Sequence, residues 1–353
     1  MKTNEPKIGY VVTTIQYATK SLMSIAEAMS SLGSTLYVVG DKKSPQDFVC
    51  AGSRYLSVLD QEASPYSLAS RLPWNSYSRK MIGYLAAIAD GCNWIRETDD
   101  DNFPLSSFFE APKEDLSIRT VSPSEGDQWV NAYAYFTEEH IWPRGFPLHL
   151  LNSQKDLLSS AVTSETDIQS QEVVLYQGLA NGEPDVDAIY RLAVNDNSQM
   201  QFLELSPLKI PKQTYCPFNS QATTWARSIF PLLYLPVTCT FRMTDIWRSF
   251  VAQRILRESD GEILFTAPTV YQERNPHDLM KDFSDEIPGY LENHNLVKLL
   301  DSTKILGGPT NFTEDLRTCY LALITAGYLD DYELETLDLW ITDLARYEFG
   351  VLI

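Results

Sequence analysis

Residues 8–39 spell strand, helix, strand, and that order constrains the fold more than any other feature of the chain. Ile8–Thr13 (IGYVVT) is a short apolar run rich in β-branched residues, the pattern of a buried strand. Leu22, Ile25, Ala26, Met29 and Leu32 then recur at helical spacing, and Gly33 stands where a left-handed helix cap belongs. A second buried run, Thr35–Val39 (TLYVV), ends at Gly40-Asp41-Lys42-Lys43. Two strands joined by one helix in so short a span imply a parallel pair with a right-handed crossover. The chain therefore opens as an α/β protein.

The same alternation continues. Leu56–Leu59 reads as a further short strand, Arg79–Ala89 (RKMIGYLAAIA) as an amphipathic helix, and Cys92–Arg96 as the strand after it. That strand runs straight into Glu97-Thr98-Asp99-Asp100-Asp101-Asn102. Open α/β sheets bind ligands at the carboxyl ends of their strands. Three such ends carry polar residues here: Thr13-Thr14, Asp41-Lys42 and Asp99 to Asn102. No GxGxxG follows the first strand and no GxxxxGK[ST] occurs, so dinucleotide and P-loop sites find no support.

A length of 353 residues allows two domains, or one large domain with an appendage. From about Ser106 to Phe265 the chain mixes short strand-like runs with loops rich in Pro, Gly and Asn, and the polar, Ser-rich Leu150–Glu172 reads as an exposed connection or a small helix. Beyond Pro276, Asn293–Leu300, Thr313–Ala326 and Asp331–Ala345 read as helices. The division expected is thus residues 1–276, with halves at about 1–105 and 106–276, followed by a helical C-terminal extension over 277–353.

Acidic residues outnumber basic ones 47 to 28, a net charge of −19. Without a basic cluster, such a chain repels nucleic acid and anionic lipid, so no nucleic-acid partner is expected. Five scattered cysteines (Cys50, Cys92, Cys216, Cys239, Cys319) form no disulfide framework and no zinc spacing, which predicts reduced, mostly buried thiols. The amino terminus is a poor signal peptide, and the longest apolar run, Ile229–Val237, is about half a membrane span. A cytoplasmic location without a transmembrane segment, at most peripheral to a membrane, is the expectation.

The strongest chemical signal is Asp99-Asp100-Asp101 directly after a buried strand. Three adjacent carboxylates repel one another, so read alone they are either a solvated turn or a site that needs a compensating cation, and the buried strand and strand–helix–strand unit before them favour the cation. Mg2+ or Mn2+ prefers carboxylate oxygen and keeps positions open for phosphate, where it neutralises a diphosphate leaving group. Arg79-Lys80 open the preceding helix, placed to meet a diphosphate or simply solvated. Trp142-Pro143-Arg144-Gly145-Phe146-Pro147 presents an arginine among aromatic residues, as an anion platform or a structural corner. In Gly182-Glu183-Pro184-Asp185-Val186-Asp187 two carboxylates stand two apart, which suits a ligand contact or a plain turn equally. Asp245-Ile246-Trp247-Arg248 offers a carboxylate beside an aromatic surface, a common grip on a sugar. Among four histidines only His277 stands as a weak metal candidate.

Taken together, these segments resemble the STELLO-like glycosyltransferase family, itself related to plant reversibly glycosylated polypeptides, which include UDP-arabinopyranose mutases. The resemblance is carried in order by TTI (Thr13–Ile15), VVGDKK (Val38–Lys43), SRKMIGYLAAIADGCNWIRETDDDN (Ser78–Asn102), NAYAYF and WPRGFPL (Asn131–Leu148), QGLANGEPDVDAIYRL (Gln177–Leu192), CPFNSQATTW (Cys216–Trp225) and LPVTCTFRMTDIWRSFVAQRIL (Leu235–Leu256). It implies an α/β GT-A fold: a Rossmann-like nucleotide half, an aspartate-rich metal motif and an acceptor half. By that resemblance, Thr13, Thr14 and Asp41 hold base and ribose, Arg79 and Lys80 face the diphosphate, Asp99 and Asp101 hold Mn2+ or Mg2+, and Asp100 and Asn219 contact the donor. Arg144, Asp187 and Asp245 are then the candidate catalytic residues, with Asp187 and Asn219 lining the sugar pocket. The function implied is a metal-dependent glycosyltransferase taking a nucleotide-activated sugar, a UDP-sugar favoured, and a carbohydrate or glycolipid acceptor of surface polysaccharide or glycolipid synthesis. A sugar-ring mutase and a non-catalytic nucleotide-sugar-binding scaffold are the alternatives, and the acidic helical tail offers a surface for a homo-oligomer.

Overall fold

The computed structural model describes residues 6–113, 115–122, 128–151, 164–169, 173–194, 199–274 and 278–349. His277 and most of the Leu150–Glu172 segment lie outside them. The expected opening is present: β1 (Ile8–Thr13), α1 (Lys20–Leu32) and β2 (Thr35–Val39) form a parallel pair with its crossover helix. Thr19 caps the start of α1 through its side chain, and Gly33 ends it at φ 59°, a conformation that glycine adopts without a Cβ clash. β3 (Ser53–Leu56) is displaced from the expected Leu56–Leu59, because Ser57 and Asp60 form a capping box that starts α2 (Val58–Glu62) instead. α3 (Lys80–Ala89) then leads into β4 (Trp94–Thr98), which pairs with β1 in parallel. Gly83 lets α3 approach the sheet, since a Cβ there would lie 2.5 Å from Val11 and 2.8 Å from Val39.

The remaining strands extend this sheet. They are β5 (Asn102–Pro104), β6 (Asp115–Thr120), β7 (Ser164–Gln169), β8 (Val173–Gly182), β9 (Leu208–Lys209), β10 (Ala222–Ala226) and β11 (Glu262–Gln272). The order is β3-β2-β1-β4-β10-β8-β11-β9-β6-β7, with β5 paired to β11. β10 runs antiparallel to both β4 and β8, so the parallel first half joins a mixed second half through one reversed strand. This is the α/β architecture expected, with a Rossmann-like half at one side of a single sheet.

α4 (Ala188–Ala193) and α5 (Thr244–Leu256) precede three C-terminal helices, α6 (Leu279–Ser302), α7 (Phe312–Thr325) and α8 (Tyr332–Leu344). α6 begins fourteen residues before the expected Asn293, capped by Asp278 and continuing through Pro288. These helices pack on the rest of the chain. Leu296, Leu300, Leu316, Leu323 and Trp340 share one hydrophobic core with Met81, Leu85, Trp225 and Phe250. Buried carboxylates tie them down as well. Glu333 of α8 accepts hydrogen bonds from the backbone N–H groups of Val237 and Thr238 at 3.0 and 2.9 Å and from the hydroxyls of Tyr234 and Thr238. Asp343 accepts from the Ser67 and Leu68 N–H groups, both at 2.9 Å. Replacing Glu333 by Ala leaves several buried donors unpaired, and a loss of about 3 kcal/mol in urea unfolding is expected; an unchanged midpoint would show that this network contributes nothing.

Candidate functional site

A cavity of about 310 Å³ opens at the carboxyl ends of β1, β2 and β4, where the sheet topology places a ligand. Thr13 and Thr14 reach it from β1, Asp41 from β2 and Asp99 to Asp101 from β4, and Arg144, Asn219 and Asp245 face it from the second half. Sequence-distant segments thus meet in one place. The PDVD, PFNSQ and DIW runs converge because β8, β10 and α5 all end or begin at this edge.

The three aspartates point to three different neighbours. Asp99 accepts hydrogen bonds from the Lys80 ammonium and the Tyr77 hydroxyl, each at 3.1 Å. Asp100 accepts from the Thr14 hydroxyl, while its backbone carbonyl accepts from Thr19 at 2.6 Å. Asp101 accepts from the Gln272 amide, at 3.2 Å to each carboxylate oxygen. Burial pushes the carboxyls of Asp99 and Asp100 up from their ordinary value, against the pull of Lys80. Among the described residues no three His, Cys, Asp or Glu side chains form a ready-made metal cage. Mg2+-type ions, however, are held by one or two carboxylates and complete their shell with water and substrate phosphate. Asp99 and Asp101, hard oxygen donors on the wall of one cavity, fit such an ion.

Of the expected diphosphate-facing pair, Arg79 lines the cavity and Lys80 does not, and both donate to other groups of the chain. The Arg79 guanidinium lies 3.4 Å from the ring centre of Trp74 and donates to Gln61 Oε1 at 2.6 Å and to the carbonyls of Leu72 and Ala69. Its partners are all neutral, and burial lowers its pKa to about 10. Lys80 is fully buried and lies behind the aspartates, donating to Tyr77, Asp99 and the Ser220 carbonyl. Asp41 likewise turns its carboxylate to the backbone, accepting from the N–H groups of Lys42, Asn75 and Ser76 and so fixing the 75–76 wall.

On the opposite wall Arg144 is clamped between two carboxylates. It donates through Nε and Nη2 to Asp185 at 2.8 and 2.7 Å, and through Nη1 and Nη2 to Asp245 at 3.1 and 3.0 Å. Burial alone would lower its proton affinity, yet the two aspartates raise it well above the ordinary value. Burial would raise Asp185, but Arg144 and then Arg242 hold its carboxyl far below the usual range. Asp245 also accepts from the Ser220 N–H and hydroxyl at 3.3 and 3.2 Å. Asn219 donates to Asp185 at 3.0 Å and is itself held by Gln177 at 3.1 Å.

Asp187 is placed elsewhere. It caps α4 by accepting from Tyr190 N–H at 2.8 Å, accepts from the Trp142 indole at 2.6 Å, and does not line the cavity. Burial pushes its carboxyl up to about 6. Asp185, two residues earlier in the same segment, takes the cavity-facing place because it alone meets Arg144. The sequence signal for Asp185 was equal to that for Asp187. Tyr77, Ser220, Phe241, Arg242, Gln272 and Arg274 also line the cavity; Ser220, Phe241 and Arg242 fall within segments that carry the resemblance, whereas the other three stand in no motif that would single them out.

Fold and cavity together define an α/β protein with a polar cavity at the ends of its parallel strands. The STELLO glycosyltransferase family model matches residues 242–353, from the cavity-lining Arg242 through the C-terminal helices. Two Arabidopsis thaliana proteins, described as probable glycosyltransferases STELLO2 and STELLO1, are each 26% identical to the chain across 95% of its length. The resemblance expected from the motifs is therefore found along nearly the whole chain. The chain spans 44% of the length of these curated relatives. Solved structures of a mycobacterial protein (12% identity, TM-score 0.41, covering 84% of this chain and 75% of that one) and of Mycobacterium tuberculosis glucosyl-3-phosphoglycerate synthase (11%, TM-score 0.40, 83% and 81%) are distant in shape. The five cysteines are free, as expected, and no described helix is long and apolar enough to cross a membrane.

Proposed function

We propose that the protein is a glycosyltransferase that takes a nucleotide-activated sugar in this cavity. The observation that carries the reading is the end of β4: Asp99, Asp100 and Asp101 line one cavity at the carboxyl ends of the parallel strands. In a chain similar to the STELLO glycosyltransferases, such hard oxygen donors would suit a divalent cation beside a diphosphate. Asp99 and Asp101 would hold Mn2+ or Mg2+, which when bound offsets the charge developing on the departing nucleoside diphosphate. Thr13, Thr14 and the wall fixed by Asp41 then flank the nucleoside. Asn219, Asp245 and the Arg144–Asp185 pair orient the sugar, with Arg144 acting as a rigid brace rather than a free anion-binding arm. A carbohydrate or glycolipid acceptor and a UDP-sugar donor are the partners proposed.

The test is calorimetric titration of UDP, GDP, CDP, dTDP and CMP, each with and without Mn2+. One nucleoside diphosphate is expected to bind with metal-dependent affinity. In Asp101→Ala that metal-dependent component should fall at least tenfold, with the unfolding midpoint within a few degrees of wild type. Equal binding with and without metal, or binding that survives both Asp99→Ala and Asp101→Ala, would remove the cation from this site. Absence of binding to every nucleotide would remove the donor site itself.

A further inference from the structure

A second cavity, about 220 Å³ in volume, lies against the sheet beneath the residues 106–113 segment, away from the strand ends that form the first. Its floor is a cross-strand row. Arg96 of β4 stands opposite Thr224 of β10, and Thr224 stands opposite Tyr176 of β8, so the three side chains share one face of the sheet. Adjacent polar side chains on a covered sheet face are unusual and call for partners.

The partners present are incomplete. Arg96 is 8% exposed and donates to the Thr224 hydroxyl at 2.8 Å, the Phe108 carbonyl and the Glu110 carbonyl at 3.0 Å. All three acceptors are neutral, and among the described residues no carboxylate lies within ion-pair distance of it. The rings of Tyr10 and Phe108, at 5.6 and 5.5 Å, supply partial compensation. A guanidinium has five N–H groups, so these three bonds and the Tyr10 hydroxyl, which also acts on Arg96, leave one donor over. Beside it the Tyr176 hydroxyl is buried with no hydrogen-bond partner among the described residues. The same cavity also has an apolar side built from Leu205, Ala267 and Pro268.

We propose that this cavity binds a small organic carboxylate, its anion on Arg96 and Tyr176 and its apolar body against Leu205 and Pro268. Charge decides for a monoanion. Lys113 and Glu110 at the rim pair with each other at 3.0 Å, and the exposed Glu204 is a further negative charge. One buried cation accommodates one negative charge there, and a phosphate dianion would meet net repulsion. The site does not depend on the proposed glycosyltransferase reading, since Arg96 precedes Asp99 by three residues of strand, about 10 Å.

Titration of the full chain with phenylacetate, butyrate, phenylacetamide and inorganic phosphate tests the assignment. Phenylacetate is expected to bind saturably, at least tenfold more tightly than phenylacetamide or phosphate, and to remain bound in saturating UDP. Arg96→Met should abolish that binding. Tyr176→Phe removes a hydroxyl that has no hydrogen-bond partner among the described residues, so its unfolding midpoint should hold or rise while phenylacetate affinity falls about tenfold. Equal binding of acid and amide, preference for phosphate, no saturable binding of either acid at 10 mM on the order of a weak-site limit, displacement by UDP, or an unchanged affinity in Tyr176→Phe would each overturn the proposal.

Discussion

A chain ending at residue 276 is expected not to fold. The helices it would lose bury Leu296, Val297, Leu300, Phe312, Leu316, Tyr320, Leu323, Leu337, Trp340 and Leu344 against the rest of the molecule. At roughly 1.5–3 kcal/mol for each large apolar side chain buried, the packing lost with them outweighs the net stability of about 5–15 kcal/mol typical of a domain. Removing Glu286 and Glu333 also leaves Arg242 and the Tyr234–Thr238 donors without their buried acceptors. Circular dichroism melts and amide exchange of the 1–276 fragment should therefore show no cooperative transition. A fragment that melted near the wild-type midpoint would make the C-terminal helices a dispensable appendage.

Arg144→Met is expected to cost about 3–5 kcal/mol, the range found when one partner of a buried ion pair is removed. Two aspartates, Asp185 and Asp245, would remain facing each other across the space the guanidinium filled. The glycosyl transfer proposed for this cavity should be lost with it, because Asn219 and Ser220 are positioned by the same two carboxylates. The pH dependence has a definite sign. Asp185 has a folded pKa well below its unfolded value of about 3.9, so its contribution is fully present above that value and lost as pH falls towards the folded pKa. The wild type should therefore forfeit part of its advantage below about pH 4, and the gap to Arg144→Met in urea unfolding should narrow there. A gap constant from pH 7 to pH 3 would show that the clamp does not carry the difference.

Local pattern made much of the first hundred residues legible. Apolar runs at Ile8–Thr13 and Thr35–Val39, helical spacing from Leu22 to Leu32, and Gly33 at its cap all appear as read. Leu56–Leu59 reads as a strand from its apolar residues, and the Ser57–Asp60 capping box that starts α2 there is what the structure adds. The long α6 was read only from Asn293, because Pro288 is a strong local breaker. Packing of Leu296, Val297 and Leu300 and the Asp278 cap overcome that local cost. Side-chain direction in the site was less accessible. Nothing in PDVD distinguishes Asp185 from Asp187, and nothing in Ser78-Arg79-Lys80 reveals that the guanidinium turns to Gln61 and Trp74.

What the sequence by itself determined is the part governed by near neighbours: the strand–helix–strand opening, the aspartates at the end of β4, and the polar strand ends that form a ligand edge. Periodicity and capping act over a few residues, so they are written in consecutive letters. Only the tertiary structure decided which aspartate Arg144 grips, that Arg79 and Lys80 are buried braces, that Arg96, Thr224 and Tyr176 share a row, and that the C-terminal helices complete the core. Each of these depends on contacts between segments far apart in the chain, such as Arg96 with Thr224 or Glu333 with Val237, whose proximity no local rule encodes.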